Sequence, residues 1–130
     1  MAYLLDTNIV IHACDGMDAV LDQLADHTGQ VLLSALTLVE LQRGLVRHHA
    51  AAGLRRTRLD ELLTSIPVLP FTAAAAGAYG RIIAQCGWVR GRDFDRMIAA
   101  HAISTASILV TNNQADFREV PGLTLANWVS

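Results

Sequence analysis

An α/β architecture, with a mainly parallel sheet of four or five strands covered by helices, is what this sequence predicts. Short continuous apolar runs, Tyr3-Leu4-Leu5, Val31-Leu32-Leu33 and Ile108-Leu109-Val110, read as strands buried on both faces, and stretches with helical periodicity separate them. Two of these runs stop abruptly on polar side chains, Asp6-Thr7-Asn8 and Thr111-Asn112-Asn113. Strands that end this way present chemistry at the rim of an α/β sheet.

After the first strand, Ile9, Val10, Ala13 and Cys14 begin a helical pattern that resumes past Gly16 with Ala19, Val20, Leu21 and Leu24. Asp15, Asp18, Asp22 and Asp26 recur on its solvated side. Gly29 turns the chain into the second strand, and a helix follows at once. Its start carries the capping-box pattern Thr37-Leu38-Val39-Glu40, flanked by Leu36 and Leu41 at staple positions, and Leu38, Leu41, Leu45 and Val46 form its buried stripe. Residues 50–53 form a small-residue hinge before another amphipathic helix marked by Leu59, Leu62, Leu63 and Ile66, which Pro67 ends. Val68-Leu69 between two prolines is a short strand near an edge.

The next helix runs from Thr72 as cap to Gly87 as stop, burying Ala75, Tyr79, Ile82, Ile83 and Cys86. Its Gly77 and Gly80 permit close approach to the sheet or to a second chain. A charged loop over residues 88–93 leads into a helix through Met97, Ile98, Ala102 and Ile103, and residues 123–128 make a final edge strand.

At 130 residues and 52% hydrophobic, the chain fits one domain, residues 1–130. No apolar run approaches the roughly 18 to 20 residues that span a bilayer, and the N-terminus lacks the basic start of a signal peptide, so a cytoplasmic, soluble protein without a membrane partner is expected. Cys14 and Cys86 stand far apart and suit buried reduced thiols better than a zinc site or a disulfide scaffold. The net charge of −2 argues against a generally basic nucleic-acid coat, while leaving room for local basic patches around an acidic centre. All ten basic residues are Arg; with no lysine present, mechanisms that need one are closed.

In right-handed β-α-β units helix starts lie at the same rim as strand carboxyl ends. Asp6, Glu40, Asp95 and Asp116 therefore fall on one rim. Each alone has a structural explanation, since carboxylates stabilise helix N-termini, and the capping box accounts fully for Glu40. Capping does not explain Asp6 and Asp116 at the ends of strands that would be neighbours. Clustered carboxylates repel one another unless a cation neutralises them. With oxygen ligands and no convergent His or Cys, Mg²⁺ or Mn²⁺ suits the site better than Zn²⁺. Such an ion activates water and neutralises charge on a phosphodiester, with Thr7, Asn8, Thr111 and Asn112 orienting ligands or waters around it.

Substrate signals are weaker. Arg43, Arg47, His48, His49, Arg55, Arg56 and Arg58 gather around the second main helix, and Arg90, Arg92 and Arg96 surround the loop before Asp95. Of these, Arg43, Arg90, Arg92 and Arg96 are the candidate contacts to substrate phosphates, although a solvated face explains each at least as well. His12, His27 and His101 read as surface or packing residues.

Four blocks now stand in order: Leu5-Asp6-Thr7-Asn8; residues 34–41, Ser-Ala-Leu-Thr-Leu-Val-Glu-Leu; Asp95-Arg96-Met97-Ile98-Ala99-Ala100-His101-Ala102; and Leu109-Val110-Thr111-Asn112-Asn113 through Asp116-Phe117. Together they resemble the PIN domain, specifically VapC-type ribonuclease toxins, over nearly the whole chain. The resemblance implies a Rossmann-like three-layer α/β/α sandwich, Mg²⁺-dependent endonucleolytic cleavage of RNA, and a catalytic, metal-binding set at Asp6, Glu40, Asp95 and Asp116. It further implies homodimers and a VapB-like antitoxin that fills an apolar groove, forming a hetero-oligomer and reaching the acidic site with a basic side chain. Many relatives carry a Pro/Ile/Gly-like turn before the third acid, where this chain has Trp88-Val89-Arg90-Gly91-Arg92-Asp93-Phe94. Asp93 is assigned as the N-cap and Asp95 as the ligand, because Asp95 is in register with Ile98-Ala99-Ala100.

Phosphoacceptor domains and haloacid-dehalogenase-type phosphatases also gather acids at a sheet rim. Both depend on a lysine, and the phosphatase motif wants Asp where Asn8 stands. A catalytically silent PIN-fold binding module is the other alternative, made less attractive by the intact acidic set.

Overall fold

In the computed structural model the backbone is described for residues 1–47 and 49–129, and the side chains of those residues outside 46–51. The strands are β1 (Ala2–Leu5), β2 (Val31–Ser34), β3 (Val68–Leu69), β4 (Ser107–Val110) and β5 (Leu125–Ala126). The helices are α1 (Thr7–Cys14), α2 (Asp18–Asp26), α3 (Ala35–Arg47), α4 (His49–Leu63), α5 (Ala73–Cys86) and α6 (Asp93–Ser104). A single 3₁₀ turn, Gln114–Asp116, lies between β4 and β5.

Every strand pairing is parallel, and the sheet order is β3-β2-β1-β4-β5. β1 is the central strand, and its two-residue alternation decides which layer each side chain serves. Leu5 joins Val31, Leu33 and Val110 under α1 to α4, where Ile9, Val10, Val20, Leu41 and Leu59 close the core. Leu4 and Leu109 point the other way, against Ala78, Ile82, Ile98, Ala99, Phe117 and Val120. Both faces are covered, which is why these strands read as unbroken apolar runs rather than alternating ones. Leu4, Leu5, Leu33 and Leu109 are each at most 1% exposed, so each contributes roughly 2 to 3 kcal/mol of apolar burial. The two expected edge strands, β3 and β5, take the edges. Among the described residues no helix is long and apolar enough to cross a membrane.

Helix α5 begins and ends where the sequence predicts: Thr72 Oγ1 accepts from Ala75 N at 3.3 Å, and Gly87 takes φ +80°. No neighbouring atom lies within 4 Å of a Cβ placed on Gly80, and only Arg81 approaches Gly77, so the sheet does not require either glycine. Residues 50–53, expected as a hinge, are helical within α4, and His48, one of the expected basic cluster, lies outside the described residues.

The capping box at Thr37 is not formed. β2 runs directly into α3, so the helix starts before Thr37 rather than after it. Thr37 Oγ1 is buried without a hydrogen-bond partner among the described residues, and Ser34 Oγ accepts the Leu36 N–H at 3.1 Å instead. Ser34 also bonds His101 Nδ1 at 2.8 Å, which places His101 in the core at 1% exposure and excludes the surface alternative. Burial lowers the His101 pKa, keeping the imidazole neutral.

Ser34→Ala strips His101 and the start of α3 of one shared partner. It should cost about 1 to 3 kcal/mol in urea unfolding, and a loss under 0.5 kcal/mol would show that water replaces the hydroxyl.

Candidate active site

The adjacency of β1 and β4 builds the site. Leu5 lies opposite Val110, and one residue further on Asp6 N donates to Val110 O at 2.9 Å. Asp6 and Thr111 consequently leave neighbouring strand ends side by side. Asp6 is 7% exposed and held twice: Oδ1 accepts from Thr7 N at 2.9 Å, capping α1, and Oδ2 accepts from Thr111 Oγ1 at 2.9 Å. Thr111 Oγ1 in turn accepts from Asn113 N at 3.0 Å, shaping the turn that leads to Asp116.

Glu40 enters from the next element. Freed from capping, its Oε1 accepts from Thr7 Oγ1 at 2.6 Å, thirty-three residues away in sequence. Thr7 and Thr111 thus each donate a hydroxyl hydrogen bond to one of the two acids. Asn8 donates to neither; it is exposed and makes no side-chain hydrogen bond among the described residues. Asn112 faces His12, with Nδ2 3.5 Å from Nε2, and its Oδ1 is buried without a partner among the described residues.

Asp95 lies in the first turn of α6 and Asp116 in the 3₁₀ turn after β4. Neither carboxylate makes a side-chain hydrogen bond among the described residues, yet both belong to one electrostatic unit. Burial, followed by the charges of Asp6, Asp116 and Glu40, pushes Asp95 up to about 6, and Arg92 offsets only a part. Asp6 is raised too, chiefly by burial and further by Glu40 and Asp116, against the lowering pull of its hydrogen bonds to Thr111 and Thr7. The four acids therefore share a field at one end of the sheet.

Asp93 is not the N-cap of α6. It is the first helical residue, and its Oδ1 accepts from Tyr79 Oη at 2.9 Å and Trp88 Nε1 at 3.0 Å, tying α5 and the preceding loop to α6. Its neighbour Asp95 is left to the pocket because a two-residue step turns roughly 200° around a helix.

Of the candidate RNA contacts, Arg43 is exposed with its guanidinium 4.9 Å from the Phe94 ring, Arg90 is exposed, and Arg92 is half-buried. Arg96 is withdrawn from that role: it is 2% exposed, with Nη2 2.5 Å from Glu119 Oε1. Arg55 is also engaged elsewhere, pairing with Asp15 at 2.9 Å, while the side chains of Arg47, His48 and His49 lie outside those described. Glu119 was not singled out in the sequence; its spacing from Asp116 carries no motif, and only its contact reveals it.

The PIN-domain family profile matches residues 3–123. The chain belongs to the PIN-domain family. Among relatives of this PIN domain, ribonuclease VapC2 of Rickettsia felis is 33% identical over 135 residues, covering 98% of each chain. The tRNA(fMet)-specific endonuclease VapC of Shigella flexneri is 34% identical over 132 residues, again covering 98% of each. Among solved structures, VapBC2 from Rickettsia felis bound to a promoter DNA fragment superposes with a TM-score of 0.86 at 31% identity, over 98% of this chain and 99% of that one. DNA-bound VapBC from Salmonella typhimurium gives 0.86 at 28% identity, over 98% of each chain. These comparisons place this PIN domain in the VapC-type branch, as the four sequence blocks implied.

Among the described residues no three carboxylate, imidazole or thiol groups converge as a ready-made ligand cage. The acids fit an ion that keeps much of its own water and touches one or two carboxylates directly, the habit of Mg²⁺ and the similarly oxygen-seeking Mn²⁺. Excess negative charge around Asp95 supports that fit, since a cation relieves the repulsion.

Two outcomes follow for the acids. The folded Asp95 pKa stands near 6 against 3.8 for the ordinary side chain, so the native state binds more protons through that interval. Stability contributed by this group is full below the lower value and lost as pH rises through the higher. Asp95→Asn should raise the thermal midpoint at pH 7.5 and lose that advantage by pH 4; an equal offset at both would contradict the burial account. Glu40→Gln keeps an acceptor for Thr7, so urea stability should stay within about 0.5 kcal/mol of the parent. A larger loss would show that the charge of Glu40, and not only its acceptor oxygen, holds Thr7.

Proposed function

We propose that this PIN domain is a Mg²⁺- or Mn²⁺-dependent endoribonuclease, the toxin of a toxin–antitoxin pair. One observation carries the proposal: Asp6, Glu40 and Asp116 all load charge onto half-buried Asp95 at the carboxyl rim of the sheet. Of these four acids, one or two would touch the ion directly and the others would hold it through its bound water. Bound there, it supplies an activated water and neutralises charge developing on the scissile phosphodiester.

The remaining groups prepare that pocket. Thr111 Oγ1 and Thr7 N–H each donate to one Asp6 oxygen, fixing the rotamer and favouring its ionised form. Thr7 Oγ1 donates to Glu40, aligning that carboxylate with the rim. Arg43, Arg90 and Arg92 offer guanidinium groups for flanking RNA phosphates, with the Phe94 ring steadying Arg43.

The solved relatives are VapBC complexes, and a VapB-like antitoxin is the partner proposed here, together with homodimerisation. An apolar cleft lined by Ile11, Cys14, Leu41, Leu45 and Leu59, with Arg55 at its side, lies among α1, α3 and α4. It suits the apolar face of an amphipathic antitoxin helix, whose flanking basic residue would discharge the acidic pocket.

RNA cleavage with Mg²⁺ or Mn²⁺ should be abolished by chelator and lowered on the order of 100-fold or more by Asp6→Ala or Asp95→Ala. Full activity in both variants would remove the proposed site.

A further inference from the structure

We propose that the ion pair between buried Arg96 and solvent-exposed Glu119 is a positioning strap that sets Asp116 against Asp95; the proposal rests on the nuclease reading of the acidic site. Arg96 follows Asp95 directly in α6, and Glu119 lies three residues beyond Asp116. Arg96 Nη2 reaches Glu119 Oε1 at 2.5 Å, and Arg92 Nη1, one helical turn earlier, stands 3.9 Å from the same oxygen.

The segment between these anchors has little freedom. At its start Asn113 N donates to Thr111 Oγ1, the hydroxyl that also binds Asp6. Asp116 N then donates to Asn113 O at 3.0 Å, and Phe117 N to Gln114 O at 3.1 Å. Phe117 and Val120 are sunk in the core at 2% and 4% exposure, and Cys86 Sγ donates to Glu119 O at 3.4 Å. Asp116 thus rides on a short bridge tied at one end to the partner of Asp6 and at the other to the neighbour of Asp95.

Stability alone is a poor reason for this pair. Arg96 is 2% exposed, and its Nε and Nη1 have no hydrogen-bond partner among the described residues. Burying a guanidinium so incompletely satisfied costs desolvation energy that a single contact to a solvent-exposed carboxylate repays only in part. What an apolar side chain would not provide is a directional contact to one oxygen beyond Asp116. The unsatisfied nitrogens also make Glu119 the anchor of the arrangement, because without it the buried charge has no carboxylate partner.

The test uses the purified full chain and two readouts: Mn²⁺ binding, followed as the free-ion paramagnetic resonance signal, and single-turnover RNA cleavage. Arg96→Met should weaken Mn²⁺ binding and slow cleavage about tenfold, the low end for losing a group that orients metal ligands. Glu119→Gln should shift both in the same direction by less, and it carries the test if Arg96→Met does not fold. Added to Asp116→Ala, Arg96→Met should change neither readout further, because the strap acts through Asp116. An altered thermal midpoint with unchanged binding and cleavage, or additive effects with Asp116→Ala, would overturn the strap. Wild-type cleavage by Asp95→Asn would instead overturn the nuclease site; an inert Asp95→Asn beside a fully active Arg96→Met would overturn the strap alone.

Discussion

Charge repulsion at the carboxyl rim of the sheet is the constraint on which the rest of the site depends. Placing β4 beside β1 brings Asp6 next to the turn that carries Asp116, and the helices that cover the sheet add Glu40 and Asp95. The fold opposes this gathering unevenly. Asp6 and Glu40 accept hydrogen bonds from Thr111 and Thr7, whereas Asp95 has no such donor among the described residues and shows the repulsion most plainly, at about 6. Asp6 and Glu40 are anchored, whereas Asp95 and Asp116 carry no such bond among the described residues. Hydroxyl donors suit the anchoring role because they satisfy a carboxylate without adding a competing positive charge.

The opposite parts of the molecule make this arrangement rigid. Arg58 Nη1 donates to Cys14 O at 2.6 Å, and Arg55 pairs with Asp15, so α4 grips the end of α1 whose first turn Asp6 caps. Tyr3, at the base of the central strand, packs against His27 and Trp128, with ring centroids 4.5 Å and 5.4 Å away. The chain's last aromatic residue is thereby held against its first strand. These contacts lie away from the acids, and the central strand links them to the rim.

Much of this was legible in the sequence for a definite physical reason. Apolar runs such as Ile108-Leu109-Val110 have few alternatives to a doubly covered strand, and polar residues directly after them fix where the rim lies. Thr111 could be chosen as a support on that ground alone. The reading at Thr37 and Glu40 went wrong because a Thr-x-x-Glu spacing fits both a capping box and a helix interior. Only the direct passage from β2 into α3 separates the two, and it shifts the helix start to Ala35 and releases Glu40. Arg96 was illegible for another reason: an arginine near an acidic site looks like a phosphate contact until its partner is known, and Glu119 lies twenty-three residues downstream. Asp93 shows the same limit: the sequence suggests an N-cap, while its actual partners, Tyr79 and Trp88, are tertiary.

The most direct measurement of the central claim is the carboxyl-carbon NMR titration of Asp95, with and without Mg²⁺. Without the ion its midpoint should stand near 6, and saturating Mg²⁺ should bring it below the ordinary value of 3.8. A midpoint near the ordinary value in both samples would contradict the account, because Asp95 would then neither feel the other acids nor answer to the metal.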